Sequence, residues 1–440
     1  DALPILWEGK VVFHLKVKNF GKIEYADISL SNFVVFVGNN NSGKTMMMQL
    51  IYGIRDELMH LSVPAMGIDH SNLGDQYLIR IADTWFKEVE IYVNTYLSEH
   101  KNQIIQNIFG VSVPVDNIRI EIENDDMTYY VCSASNTSYR NINDHTMDIN
   151  ILQYRDRENK SAFTKTIEAT NNTDDMIEDA VNAVWSIMIS GNSACNAKQL
   201  FLPASRAGLQ MMYRYYFAEE IKGNLVLPIR DFLKFLQLYS YDEQMDCSKK
   251  DLLEFGQNYL LKGRIVQKGD ETFFDEGQDG MMIPLYVASS MIHELAPFMK
   301  AFSSTQQIGW LYCDEVENSL HPLLQGEMAR WLIQMVNAGM CVLISSHSDT
   351  MASRLNNLFM LNYLGREKVN YAMLKELGLT EADLLGKDIK VSVYEFRTVQ
   401  NGKTVAEELE FIGYPLIGYD FKLFGENLDK LYEEADRITR

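Results

Sequence analysis

What this 440-residue chain lacks narrows its class quickly. No apolar run reaches the ~18 residues that a membrane helix needs, and no basic–apolar–small leader is visible, so neither a membrane partner nor secretion is expected. The five cysteines (Cys132, Cys195, Cys247, Cys313, Cys341) are odd in number and form no C-x-x-C pair. That argues against a disulfide framework or a thiolate zinc site and fits a reducing, cytoplasmic location. Cys313 and Cys341 lie in apolar runs, where free cysteine acts as a small core residue. Basic residues are also scarce: 40 Lys and Arg stand against 60 Asp and Glu, a net charge of −20. Affinity for phosphate backbones comes mainly from the basic side chains, so nucleic acid is open as a partner but not indicated. Internal repeats, low-complexity tracts and sustained heptads are missing too, so long coiled-coil arms are not expected.

What is present reads as a large α/β protein, 47% apolar, with room for more than one unit. Residues 11–37 run strand, turn, strand ("VVFHLKVKNF", "GKIEYADISLS", "NFVVFVG"). The alternation in "IEYADISL" leaves one face solvated, while "FVVFV" is a central buried strand. "TMMMQLIYGIRDEL" (45–58) then reads as a helix, with Met46, Leu50, Ile54 and Leu58 at four-residue intervals. From about 62 to 195 the text becomes a polar-edged strand meander ("NIRIEIEND", "MTYYVCSAS", "MDINILQYR"), closed by a helix over 174–190. Asp174 and Asp175 suit that helix's N-terminal dipole. "KQLFLPASRAGL" is a strand ending in a proline turn, 209–263 is mostly helical, and 263–277 is a hairpin. "PLYVASSMIHELAPFMKAF" reads as a helix, followed by two very apolar strands (308–315 and 339–347) around another helix. The tail from 365 mixes short strands with a final charged helix. The expected division is 1–61, the N-terminal head with the loop described next; 62–195, an inserted α+β lobe; 196–364, a helical lobe with the later motifs; and 365–440, a small α/β extension.

Gly38-x-x-x-x-Gly43-Lys44-Thr45 satisfies G-x-x-x-x-G-K-S/T between an apolar strand and a helix, the context a phosphate-binding loop requires. Its glycines let consecutive backbone N–H groups curl toward phosphate, and the helix N-terminus adds its dipole. The nucleotide-binding set is therefore Gly38, Asn39, Asn40, Asn41, Ser42, Gly43, Lys44, Thr45 and Met46. Lys44 reaches the β- and γ-phosphates, and the Thr45 hydroxyl helps hold Mg²⁺.

Later motifs say what the nucleotide is for. "WLYCDE" ends a buried strand in two acids: Asp314 can enter the magnesium shell, and Glu315 can orient and deprotonate an attacking water. One strand–helix–strand unit on, "ISSHS" places His347 at a neighbouring strand tip, suited to the γ-phosphate. Between them "ENSLHP" makes a short turn directly after the catalytic acid. Upstream, "ASSMIHEL" opens a helix with Ser289 and Ser290. A serine there can cap its own helix, or present a hydroxyl and N–H to a phosphate held by another subunit; the second reading is favoured, through Ser290.

This order of motifs resembles the ABC-type ATPase heads of the SMC, RecF and OLD-like group, and most nearly the ATPases of bacterial anti-phage ATPase–nuclease systems of the Septu kind. "NFGKIEYADISL…FVGNNNSGKT", "LFLPASRAGL", "ASSMIHEL", "DEVENSLHP" and "SSHSDTMASRLNN" carry the resemblance, spread over about 11 to 360. It implies a P-loop α/β head with a mixed sheet flanked by helices, and a homodimer or higher homo-oligomer that sandwiches ATP and Mg²⁺. It further implies slow regulatory hydrolysis, and a separate effector protein, a nuclease, under the ATPase's control. Lys44, Thr45, Asp314, Glu315 and His347 would then act in cis and Ser289 or Ser290 in trans, with Arg206 of "PASRAG" an additional residue near the nucleotide. Transporter-type heads follow the serine with two glycines, whereas Met291 follows Ser290 here, which argues against a transporter subunit. An alternative within the resemblance is a RecF-like DNA-repair ATPase that binds DNA directly. A nucleotide-locked scaffold with negligible turnover is a third reading.

No nuclease module is legible in the chain itself. No D-x-D pair and no histidine follow His347 in the remaining 93 residues. Asp388-Ile-Lys390 and Asp420-Phe-Lys422 match only a three-residue D-x-K fragment. Two stretches mix basic and aromatic residues: "QYRDRENKSAFTK" (153–165) reads as a solvated face, and "RAGLQMMYRYYF" (206–217) as a helix packing or partner-docking face.

Overall fold

Alternating and continuous apolar runs build the first three strands, β1 (Val12–Phe20), β2 (Ile23–Ser29) and β3 (Phe33–Gly38). The computed structural model describes residues 12–72, 77–81, 83–123, 128–135, 146–155, 158–168, 173–191, 197–218, 225–239, 241, 247–269, 271–277, 280–365, 368–399, 401–413 and 418–439. Helix α1 (Lys44–His60) follows β3 and buries Met47, Leu50, Ile51, Ile54 and Leu58 along one side. Next come β4 (Asp69–Asn72), β5 (Tyr77–Ile81) and α2 (Asp83–Phe109). This long helix was not expected. Its Trp85, Val89, Val93 and Leu97 are buried at four-residue intervals, a helical stripe obscured by aromatic and β-branched residues of low intrinsic helix propensity.

The meander contains β6 (Asn117–Glu123), β7 (Thr128–Ser135), β8 (Thr146–Arg155) and β9 (Glu158–Glu168), closed by α3 (Thr173–Ser190). β7, β8 and β9 join β4 and β5 in a five-stranded antiparallel sheet. β6 does not belong to it: it pairs with β1, from Val12↔Glu123 to Lys18↔Asn117, at the border of the main sheet. Buried Ile118 and Ile120, with Lys16 bonded to Glu121 (2.7 Å), favour that pairing.

The next segment holds β10 (Lys198–Leu202), α4 (Arg206–Ala218), α5 (Leu227–Leu238), α6 (Cys247–Phe255), a π-helical turn (Gly256–Leu261) and the expected hairpin of β11 (Arg264–Lys268) and β12 (Glu271–Asp275). After β13 (Met282–Pro284), the helix expected from 284 is interrupted. A 3₁₀ turn (Leu285–Val287) gives way to extended backbone at Ala288 and Ser289 before α7 (Ser290–Ser303) begins. Then come β14 (Ile308–Cys313), α8 (Pro322–Asn337), β15 (Cys341–Ser346), α9 (Asp349–Leu364), α10 (Tyr371–Glu376), β16 (Val391–Thr398), β17 (Thr404–Glu408), β18 (Phe411–Ile412), β19 (Gly418–Tyr419) and α11 (Lys422–Thr439).

Nine strands form the central sheet in the order β10-β14-β15-β3-β16-β17-β2-β1-β6. Its middle is parallel: β3 lies between β15 and β16, and one strand separates it from β14. Alternation along β3 feeds two cores. Val34 and Phe36 pack with α1, α2 and α3, while Phe33, Val35 and Val37 pack with α7, α8 and α9. The fold is thus α/β, a large mixed sheet flanked by helices. β16, which the sequence placed in a small extension, is a central strand of this sheet. No helix among the described residues is long and apolar enough to cross a membrane.

Candidate nucleotide site

The loop between β3 and α1 is shaped by its glycines. At Gly38 (φ 148°) a Cβ would sit 2.8 Å from the Phe396 carbonyl oxygen of β16. Gly43 (φ 95°) is the N-cap of α1, where a side chain would be both strained and within 3.1 Å of Ile23. Asn39, Asn40 and Asn41 are exposed, with Asn41 in the left-handed region (φ 60°). Lys22, from the β1–β2 turn, donates to the Asn41 carbonyl (2.7 Å). Ser42 is buried, and the Met46 side chain lies beside Gly21.

Lys44 is buried and donates to the Gly38 and Asn39 carbonyls (2.7 and 2.9 Å), folded back over the loop. Burial lowers its pKa against the pull of Asp314, Glu315 and Glu317. Anionic phosphate would supply the counter-charge that this ammonium lacks.

Across the loop, Thr45 Oγ1 donates to the Asp314 carboxylate (2.8 and 3.0 Å). The tips of β3, β14 and β15 therefore converge, because two parallel ladders bring them into register. Asp314 is almost fully buried, and burial pushes its carboxyl up although Ser345 and Thr45 hydrogen bonds oppose this. Its oxygens and the Thr45 hydroxyl are hard donors of the kind that magnesium takes from protein. No group of three His, Cys, Asp or Glu that could hold a metal by itself occurs among the described residues.

Glu315 stands in the left-handed region (φ 47°), a conformation that costs a non-glycine residue on the order of 1 kcal/mol or more. Several bonds hold it there. Its N–H donates to Ser345 Oγ (2.9 Å), and the same hydroxyl donates to Asp314 Oδ1 (2.5 Å). His347 Nδ1 lies 3.9 Å from Glu315 and 3.5 Å from Glu317. The buried Glu317 also accepts the His347 backbone N–H (2.7 Å), and its other oxygen has no hydrogen-bond partner.

Arg206 takes a different place from the one expected beside the nucleotide. It is buried behind the acids, donating to the main-chain carbonyls of Asp314 (2.9 Å), Glu315 (3.4 Å) and Glu294 (3.2 Å), and pairs with the Glu294 carboxylate (2.7 Å). Its guanidinium ties α7 to the turn that carries the acids. Ser289 and Ser290 are exposed at the start of α7, which has no side-chain cap, so neither hydroxyl serves the bland capping role. Exposed Tyr286 and Val287 stand just before them.

Three residues in this cluster escaped the sequence reading: Lys22, Ser345 and Glu317. For Ser345 the missing information is the strand register. Cys313 pairs with Ile344, so the residue after each places Asp314 opposite Ser345. Of the two D-x-K fragments, one precedes β16 and the other opens α11. The 153–165 stretch falls in β8 and β9, and its side chains lie outside the described residues.

No protein-family model matches this sequence, and no curated protein matches it. Among solved structures the chain is similar to an SMC head bound to the C-terminal winged-helix domain of ScpA, at 10% identity and TM-score 0.37, over 91% of this chain and 97% of that one. It is also similar to the SMC head domain from Thermotoga maritima (9%, TM-score 0.33, 91% and 99%). A third is the Smc head with an extended coiled coil bound to the C-terminal domain of ScpA derived from Pyrococcus furiosus (10%, TM-score 0.36, 98% and 100%). Likeness at these TM-scores carries no weight for function, which has to be read from the site itself.

Proposed function

We propose that this chain is an ABC-type ATPase whose heads dimerise around ATP and Mg²⁺ and whose slow hydrolysis regulates a separate effector. The observation that carries this reading is the convergence of Lys44, Thr45, Asp314, Glu315 and His347 on one loop mouth. Loop N–H groups and Lys44 would bind and orient the phosphates; Thr45 and Asp314 would hold the magnesium. When bound, that ion supplies charge neutralisation at the phosphates. Glu315 would accept the proton of the attacking water, and His347 would orient toward the γ-phosphate. The uncapped α7 N-terminus, with Ser290 at its first position, would meet the partner head's nucleotide.

The finer reading is a cytoplasmic sensor of anti-phage defence that controls a nuclease on another chain. The run of motifs listed above supports it, together with an acidic balance that suits a protein partner better than nucleic acid. Light scattering and phosphate release on wild type and Glu315→Gln, with and without Mg-ATP, test the core of it. The variant is expected to bind ATP, to lose turnover by ~10²-fold or more on the scale of losing a general base, and to shift toward a dimer. A Glu315→Gln chain that hydrolyses ATP at the wild-type rate would sink this assignment.

A further inference from the structure

A second cavity lies away from the nucleotide loop. About 630 Å³ in volume, it is bounded by α1, the end of α3, β10 and α5, and shares no residue with the phosphate loop. Lys198, Gln199, Leu200 and Phe201 all line it. Successive strand residues point to opposite faces, so the cavity runs along the outer border of β10, the last strand of the sheet. Its volume is in the range of small-molecule sites, ~300–1,000 Å³.

Most of its polar groups are already committed. Arg55 donates to Tyr312 and to the Ile189 carbonyl and stacks 4.0 Å over the Trp310 ring. Asp231 accepts from Lys234 (3.1 Å) and Tyr52 (3.2 Å). Asp56 is different. It has no Lys or Arg ion partner among the described residues, and its neighbour is the Gln199 side chain, whose Nε2 also reaches the Tyr52 carbonyl (3.1 Å). Burial, then the nearby Asp231 charge, pushes the Asp56 carboxyl up against the opposing pull of His60 and the Gln199 hydrogen bond.

The Asp56 carboxylate offers acceptors to a flat, amino-bearing edge, while the Gln199 amide beside it is already bonded to the Tyr52 carbonyl and the Tyr312 hydroxyl and holds the carboxylate in place. Tyr52 and Phe235 give aromatic walls for a ring, and Lys198 and Lys234 reach solvent at the rim. A purine base with a phosphate uses all three features at once, through edge hydrogen bonds, ring packing and charge pairing. We propose that this cavity binds a purine nucleotide, base inward and phosphate toward the lysines, as a site separate from the ATP loop.

The site is built to be felt at that loop. Tyr52, Arg55 and Asp56 belong to the helix that starts at Lys44, about 16 Å away from Arg55 at 1.5 Å per residue. Trp310 belongs to the strand that ends before Asp314. A ligand there would therefore change ATP affinity, and ATP would change the ligand's affinity by the same factor. This coupling rests on the ATPase reading; the binding site does not.

Calorimetric titration of AMP and GMP into the full chain carrying Lys44→Ala, which disables the phosphate loop, separates the two. One saturable site per chain is expected to persist, weakened at least tenfold by Asp56→Ala. Leu238→Trp should weaken it similarly by filling the cavity from an exposed rim position, without touching the core. Adenosine and inorganic phosphate alone should each bind more weakly than AMP. The proposal falls if Lys44→Ala protein of wild-type thermal stability takes up neither nucleotide at millimolar concentration, or if both cavity variants bind as well as their parent. The ATPase reading fails separately, if Lys44→Ala leaves ATP binding and turnover intact.

Discussion

Replacing Ser345 with alanine removes one hydroxyl that serves both acids. It donates to Asp314 and accepts from the Glu315 N–H, and the residue is fully buried. A hydrogen bond to a charged group contributes about 1.5–3 kcal/mol, and an orphaned buried donor costs about 1–3 kcal/mol. The two losses share one atom and will not add fully, so a fall in unfolding free energy of about 2–4 kcal/mol is expected. The functional loss follows from Glu315. Its left-handed backbone is held by that N–H bond and by Arg206 on its carbonyl, so freeing one end lets the carboxylate wander. A 10- to 100-fold drop in phosphate release, about 1.4–2.7 kcal/mol, is expected, with ATP affinity changed only a few-fold. Urea unfolding at constant m-value and single-turnover phosphate release measure the two effects. Ser345→Cys, a weak donor of similar shape, should fall between. A Ser345→Ala protein within 0.5 kcal/mol of wild type, at roughly the ordinary surface-mutation level, and with full turnover would refute the view that this hydroxyl organises the acids.

Further expectations follow from the same geometry. Lys44→Ala should abolish ATP turnover in a phosphate-release assay while moving the nucleotide-free Tm little, because the lost carbonyl bonds are offset by relief of a buried ammonium. Gly53→Ala puts a Cβ 2.3 Å from Ile108 of α2, so despite better helix propensity it should lower stability by about 1–3 kcal/mol in chemical denaturation. Asp383→Asn should cost about 1–3 kcal/mol, since buried Arg330 loses the carboxylate it donates to at 3.0 Å and keeps only the Glu327 pair. Burial acts to raise the Asp383 carboxyl, but the Arg330, Thr380 and Gln334 hydrogen bonds leave it lowered. Its contribution is present above the ordinary carboxylate range and lost as pH falls through the lowered value. The wild-type advantage over Asp383→Asn should therefore shrink in acid.

The legible parts of the molecule were the local ones. A phosphate loop is specified by eight consecutive residues and its two flanks, and the strand ending in Asp314 and Glu315 announces itself by an apolar run. Partnership between distant strands is another matter. Nothing around 117–123 says that this strand pairs with β1 rather than with its sequence neighbours, since alternation fixes which face is buried but not which strand lies beside it. β16 looked peripheral for the same reason. Arg206 shows the limit at single residues. A basic side chain in a loop-like motif suggests a phosphate ligand, while burial against four carbonyls makes it a brace, and only the tertiary structure separates the two.

The position of β16 has a consequence for how the protein comes into being. One of the two neighbours of the strand that launches the phosphate loop is β16, which follows it in the chain by about 350 residues. At ~5–20 residues per second on the ribosome, the nascent loop waits roughly 20–70 s for the partner that completes its support. Throughout that interval one flank of β3 has no native partner, and the Phe396 carbonyl that crowds Gly38 has not been synthesised. Nucleotide capture thus has to wait for β16, and a polypeptide stopped short of residue 391 would carry the whole phosphate-loop sequence without the sheet that shapes it.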